Sequence, residues 1–343
     1  MDNGNDVPWL STAQRRPPEV PSSICLPPLL VDARGTPVDT VEAWQRRRAE
    51  IKDRWLSYLG RISAARTTEF ATIEEDRDAG CHRRLIRYEA EPDQPVEAYL
   101  LEPLQPRGPS VGVVALHATS PFTIREAAGL EGDGSLAFGL ELARQGITTI
   151  CPRCFIFEGD HDFANANVPG FEANVCRFRE RRPRATGMMK MLWDAMRAVD
   201  VLAARPGVDA TRLGCVGHSL GGKEAFFLAA FDDRVKATAA SECCIDIRSC
   251  NWDAPWYLGK EILGEEFGLS HHELLALVAP RAFLLVAGDV SDGPQSRPCI
   301  EAVLPVYKLY GGVPAVGLYN HHAGHTVPPE AMAHITQWFD AYL

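Results

Sequence analysis

The sequence predicts an α/β fold, with a mostly parallel central sheet, helices on both faces and an N-terminal helical extension. Three observations carry this. Short apolar runs alternate with helix-like stretches from about residue 111 to the C-terminus, the pattern of βα units that feed a parallel sheet. Two of the runs, residues 111–116 and 282–287, are continuously apolar, as strands covered on both faces require. Third, the apolar run ending at Val216 breaks at Gly217-His218-Ser219-Leu220-Gly221-Gly222 and resumes as a helical stretch. Glycines two residues either side of a serine relieve crowding where a strand turns sharply into a helix.

Bulk properties narrow the field. The 343 residues can bury a large core, and 46% hydrophobic with 23% charged residues is ordinary for a globular protein. The net charge of −10 argues against a nucleic-acid surface. The start is acidic and polar, without a basic and apolar leader, and no apolar run approaches a membrane span. The expectation is a cytoplasmic protein with no membrane partner. Ten cysteines are scattered through the chain. Cys151-Pro152-Arg153-Cys154 has a redox spacing, but there is no second pair to build a zinc site. Free thiols in a reducing compartment are expected, with no metal.

Residues 1–38 are rich in Pro, Ser and Asp, as in Arg16-Pro17-Pro18 and Leu26-Pro27-Pro28, and read as an arm. Residues 39–66 hold a helix that packs on the main domain. It starts at Asp39-Thr40, has Trp44, Ile51, Trp55 and Leu59 at helical spacing, and stops at Gly60. The main domain, residues 67–343, opens with strands near 71–73, 84–88 and 96–101, with a turn signal at Pro92-Asp93. Strand 111–116, a helix near 136–143 and strand 147–152 follow. Residues 155–186 read as a long irregular, lid-like insertion, since connections of that length tend to be functional. A helix at 188–203 leads to the serine turn. Strands at 235–241, 282–288 and 316–320 and a helix at 329–343 complete the chain. A second lid-like insertion spans 243–272, and His271-His272 read as surface residues.

A serine hydroxyl needs a base, and the base needs an orienting carboxylate. On a sheet of this kind the order along the chain is Ser, then Asp or Glu, then His, each just after its own strand. Ser219 and His325, the latter in the loop after the last strand, fit that order. Three carboxylates compete for the middle role. Asp292 is favoured because it lies in the loop after strand 282–288. Asp289 abuts that strand, and Glu242 directly follows strand 235–241. Backbone N–H groups of Leu220 and of Ala118 or Thr119 would bind an oxyanion. His117, His218, Trp252, Trp256 and Tyr257 are candidates for a pocket wall. A rival reading takes Gly217 to Lys223 as a phosphate-binding loop. Glu224 argues against it, standing where a magnesium-holding hydroxyl should be.

Ala115-Leu116-His117, the run from Leu140 to Gly146, residues 194–205, the Gly217–Gly222 turn, Ala279-Pro280-Arg281 and Gly324-His325 together carry a family likeness. On these residues the chain, from about Trp44 onward, resembles the dienelactone-hydrolase-like and acetyl-xylan-esterase-like branch of the α/β-hydrolases. The resemblance implies a serine esterase that needs no cofactor and cleaves small-molecule esters, with small acyl or acetyl groups expected. The chain departs from the pattern at Ala118, where Gly is common, and in an acid loop one residue longer than usual. A peptidase or amidase of the same fold and a catalytically silent ligand-binding scaffold are the rivals, and a homodimer is left open.

Overall fold

The computed structural model describes residues 7–15, 26–64, 68–78, 80–105, 108–159 and 168–343. Two of the stretches singled out above, the Pro-rich run at 16–25 and residues 160–167 of the first insertion, lie outside the described residues. The chain begins with α1 (Leu10–Gln14) and α2 (Val41–Leu59), then β1 (Phe70–Asp78), β2 (Cys81–Glu91), β3 (Gln94–Pro103) and β4 (Ser110–Leu116). Next come α3 (Ile124–Ala127), α4 (Phe138–Arg144), β5 (Thr148–Pro152), α5 (Val168–Arg181), α6 (Gly187–Ala203), β6 (Val208–His218) and α7 (Leu220–Phe231). The last third holds β7 (Val235–Ser241), α8 (His271–Val278), β8 (Ala282–Ala287), α9 (Arg297–Lys308), β9 (Val316–Asn320) and α10 (Pro329–Tyr342).

Among the described residues the nine strands form one sheet in the order β1-β2-β3-β5-β4-β6-β7-β8-β9. Strands β1 to β3 pair antiparallel, and β3 meets β5 antiparallel. From β5 across to β9 every pairing is parallel. Register then brings the functional strand ends together. Leu116 pairs with Gly217, His218 with Ser241, Ser241 with Val286, and Ala287 with Asn320. The loops that follow β4, β6, β7, β8 and β9 therefore emerge side by side on one edge, where ligands bind in open α/β sheets.

Local chemistry explains the flanking elements. The Thr40 side chain accepts from Ala43 N–H and caps α2, and Gly60 ends it at φ 83°. Trp44, Ile51, Trp55 and Leu59 are fully buried, and burial of Ile51 and Leu59 alone contributes about 1.5–3 kcal/mol each. The arm is docked rather than loose in its first helix. Leu10 and Ala13 of α1 are buried, and Gln14 Nε2 donates to Pro314 O and Val316 O at 2.6 and 3.0 Å. This covers β9, an edge strand that would otherwise present open backbone groups.

Three expectations are corrected. The first insertion is not irregular throughout: its second half is α5, with Phe171, Val175 and Phe178 buried at helical spacing. His271 and His272 are buried, not on the surface. They open α8 beneath the second insertion, and His271 packs edge-on against Trp252 with ring centroids 4.5 Å apart. Finally, not every cysteine is a free thiol, because Cys244 and Cys250 form a disulfide inside the second insertion.

Candidate active site

The turn after β6 is built by steric necessity. Ser219 sits at φ 56°, and its N–H donates to Ser241 O at 2.9 Å. A Cβ on Gly217 would lie 2.3 Å from the backbone of Gly221, and one on Gly221 would lie 2.1 Å from Leu116 O. Neither position tolerates a side chain. The second contact also shows how closely the start of α7 abuts the loop after β4. Every residue of α7 is buried, so its free N-terminal N–H groups act in a low-dielectric setting, where they favour developing negative charge. Leu220 is its first residue, and Ala118 and Thr119 lie on the neighbouring loop.

His117 turns out to pin that loop. Its Nδ1–H donates to Ala118 O at 2.7 Å, while Nε2 accepts from Cys154 N–H at 3.0 Å. Burial pushes its pKa down to about 4, which agrees with a neutral ring bonded at both nitrogens.

His325 lies where the order along the chain anticipates, but its carboxylate partner is Glu242. Its Nδ1 is 3.1 Å from Glu242 Oε2. Asp292, the favoured acid, does not face His325. Its Oδ2 accepts from Cys244 N–H at 2.6 Å, and its Oδ1 accepts from Ile245 N–H at 2.8 Å and the Ser296 hydroxyl at 2.7 Å. Both oxygens are thereby used inside the protein. Asp289 is turned elsewhere too, toward Asn320 Nδ2 and His322 Nδ1, both at 2.6 Å.

The two buried carboxylates form a reciprocal clasp. The loop after β8 gives Glu242 the N–H groups of Gly288 at 2.5 Å and Ser291 at 2.6 Å. In return the loop after β7 gives Asp292 the N–H groups of Cys244 and Ile245. Their acidities diverge for a physical reason. Burial pushes Glu242 up, but the hydrogen bond from His325 and those from Ser291 and Gly288 outweigh it, so its pKa falls below the usual carboxylate range. For Asp292 burial dominates its three donors and the pKa rises.

The proposed pocket walls behave unequally. Trp252 is fully buried, donates to Cys244 O at 2.8 Å and packs on Phe227 and His271. Tyr257 is buried beside it. These two support the insertion from beneath rather than lining an opening. Trp256 is half-buried and meets Phe171 of α5 edge-on at 5.6 Å, so the two insertions touch there. His218 is buried against His325, with ring centroids 4.5 Å apart.

In the sequence Lys223 figures only as a phosphate ligand. It is buried, donates to Cys243 O at 3.3 Å and lies over the Trp252 ring at 4.4 Å. Burial lowers its pKa to about 8. Its cation is committed to the floor of the second insertion, which removes the phosphate-loop reading. Among the described residues no group of three or more His, Cys, Asp or Glu is placed to hold a metal ion.

Fold and site together define an α/β-hydrolase architecture, and comparison with known proteins agrees. Residues 180–254 match the family model "Glucuronyl esterase, fungi". A 4-O-methyl-glucuronoyl methylesterase of Hypocrea jecorina is 27% identical over 46% of this chain and 41% of its own length. One from Neurospora crassa is 28% identical over 46% of this chain and 48% of its own. The alignments thus span less than half of each of these two relatives. Among solved structures, a glucuronoyl esterase from Solibacter usitatus superposes with a TM-score of 0.71 at 20% identity, covering 94% of this chain and 99% of that one. That likeness is one of fold. No helix among the described residues is long and apolar enough to cross a membrane.

Proposed function

We propose that the protein is a serine carboxylic-ester hydrolase acting on alkyl esters of a sugar acid, through Ser219, His325 and Glu242. The observation that carries the reading is the bond from His325 Nδ1 to Glu242. With Nδ1–H donating to a carboxylate, the other ring nitrogen, Nε2, is an acceptor and can serve as the base. Ser219 attacks the ester carbonyl as His325 takes its proton. The N–H of Leu220 and one from Ala118 or Thr119 stabilise the tetrahedral oxyanion. The alcohol leaves with the proton from His325 and an acyl-enzyme remains. Water, deprotonated by His325, then releases the acid and restores Ser219.

The choice of substrate is supported by the named activity of the relatives, which places the sugar on the acyl side and a small alcohol as leaving group. This replaces the small acyl or acetyl group first expected. The Cys244–Cys250 disulfide supports an oxidising compartment over the cytoplasm.

A fluorophosphonate probe read by peptide mapping, with Ser219→Ala as control, tests the nucleophile. Kinetics on methyl glucuronate and on 4-nitrophenyl acetate test the substrate. The expected result is one adduct on Ser219 and a larger kcat/KM for the uronate ester. Absence of an adduct overturns the hydrolase, and preference for the acetate overturns the sugar-acid assignment.

A further inference from the structure

His218 is the last residue of β6 and stands directly before Ser219. Its side chain is 2% exposed. On one side its Nδ1 lies 3.0 Å from the Ser241 hydroxyl. The carbonyl of that same Ser241 accepts the Ser219 N–H at 2.9 Å, and the next residue is Glu242. On its other side the His218 ring meets the His325 ring, with centroids 4.5 Å apart and planes inclined by 53°. One side chain therefore touches the strand end that carries the acid and the ring that serves as base, and it is covalently next to the nucleophile.

His325 needs such a support. It sits on the loop between β9 and α10, behind Gly324 at φ 87°, and its side chain is 38% exposed. Glu242 holds one nitrogen, but a single hydrogen bond at Nδ1 leaves the ring free to swing about that bond. The tilted His218 ring, 4.5 Å away between centroids, restricts that swing.

We propose that His218 is a positioning residue: its buried ring backs the His325 imidazole and sets the plane in which Nε2 meets Ser219. The inference rests on the triad reading above. His218 suits the task because it stays uncharged. Burial first, then the neighbouring His325, hold its pKa down to about 3, against the opposing pull of Glu242, with His321 adding to the lowering and Asp133 resisting it. A neutral ring does not oppose the imidazolium that forms when Ser219 attacks.

The roles of ring and hydrogen bond can be separated. His218→Phe keeps a flat ring and loses the bond to Ser241. Ser241→Ala loses the same bond with His218 intact. His218→Ala and His218→Leu both remove the ring, and leucine keeps the space filled if alanine fails to fold. Kinetics on methyl glucuronate, on variants whose melting confirms a folded state, are compared with the wild type. The two pairs are expected to separate: His218→Phe and Ser241→Ala keep kcat within about threefold. The ring-less variants lose about 10- to 100-fold in kcat, the size expected for misplacement of a reacting group by about 1 Å, with KM within about twofold.

Wild-type kcat in His218→Leu overturns the inference. So does an equal loss in His218→Phe and His218→Leu, which would assign the effect to the Ser241 bond. A rise in KM at constant kcat would make His218 a substrate contact, and that also overturns it. A wild-type protein that neither turns over ester nor takes the fluorophosphonate at Ser219 fails the triad reading itself, which is a separate outcome.

Discussion

Two neighbouring strand ends, those of β7 and β8, each deliver a buried carboxylate to the same edge of the sheet, and only one reaches His325. Glu242 follows β7 immediately at φ 46°, and its longer side chain spans to both His325 and the β8 loop. Asp292 lies five residues beyond β8, is fully buried, and turns back to hold the backbone of Cys244 and Ile245. The same chemical group thus has opposite tasks. One stays ionised against a histidine, and the other ties down the loop that begins beside its counterpart. A carboxylate's role follows from the donors that surround it, not from the loop it occupies.

The sharpest way to break this comparison is Glu242→Gln. An amide cannot hold the required tautomer of His325 as a carboxylate does, and kcat should fall by about 10²–10⁴-fold on the ester substrate. Equal or greater loss in Asp292→Asn would reverse the assignment. Asp292→Asn should act on stability first. It replaces a carboxylate that accepts from three donors by an amide that cannot match them all, at a cost of about 1–3 kcal/mol in denaturant unfolding. Its kcat should fall less than that of Glu242→Gln.

Acid titration sharpens the contrast further, because the two groups respond with opposite sign. Glu242 has a native pKa below its ordinary 4.5. Its contribution to stability is complete above pH 4.5 and is lost as pH falls through the native value. Asp292 has a native pKa above its ordinary 3.8. Its contribution is complete below pH 3.8 and is lost as pH rises from there through the native value. Melting temperatures from about pH 6 to about pH 3 should therefore fall less steeply in Glu242→Gln than in the wild type, and more steeply in Asp292→Asn. The reverse order would show that the two environments have been exchanged. The smallest effect is expected for Asp289→Asn. Asp289 is partly exposed and pairs with an exposed His322, an arrangement worth little in water, so kcat should stay within about twofold.

How much of this was legible in the chain depends on the range of the signal. Ser219 stands out because a strand, a tight glycine turn and a helix are adjacent in sequence. The sheet was legible because parallel strands carry continuous apolar runs. The limits of α2 were legible because Thr40 and Gly60 are local caps. His325 could be placed because it follows the last strand. The helix α5 carries a readable signal in Phe171, Val175 and Phe178, hidden by the polar residues between them.

The remainder was decided only by tertiary structure. Glu242, Asp289 and Asp292 are equivalent by type and by position after a strand. Which of them meets His325 depends on the register that sets β7 beside β8 and on where the backbone N–H groups of each loop end up. The burial of His271 and His272, the pairing of Cys244 with Cys250 and the meeting of His218 with His325 have the same character. Each joins groups through space across loops whose course no local propensity determines. By itself the sequence determined the elements and the tight serine turn, because those depend on neighbours in the chain. The fold decided the partners of the charged groups, because desolvation and hydrogen bonding depend on neighbours in space.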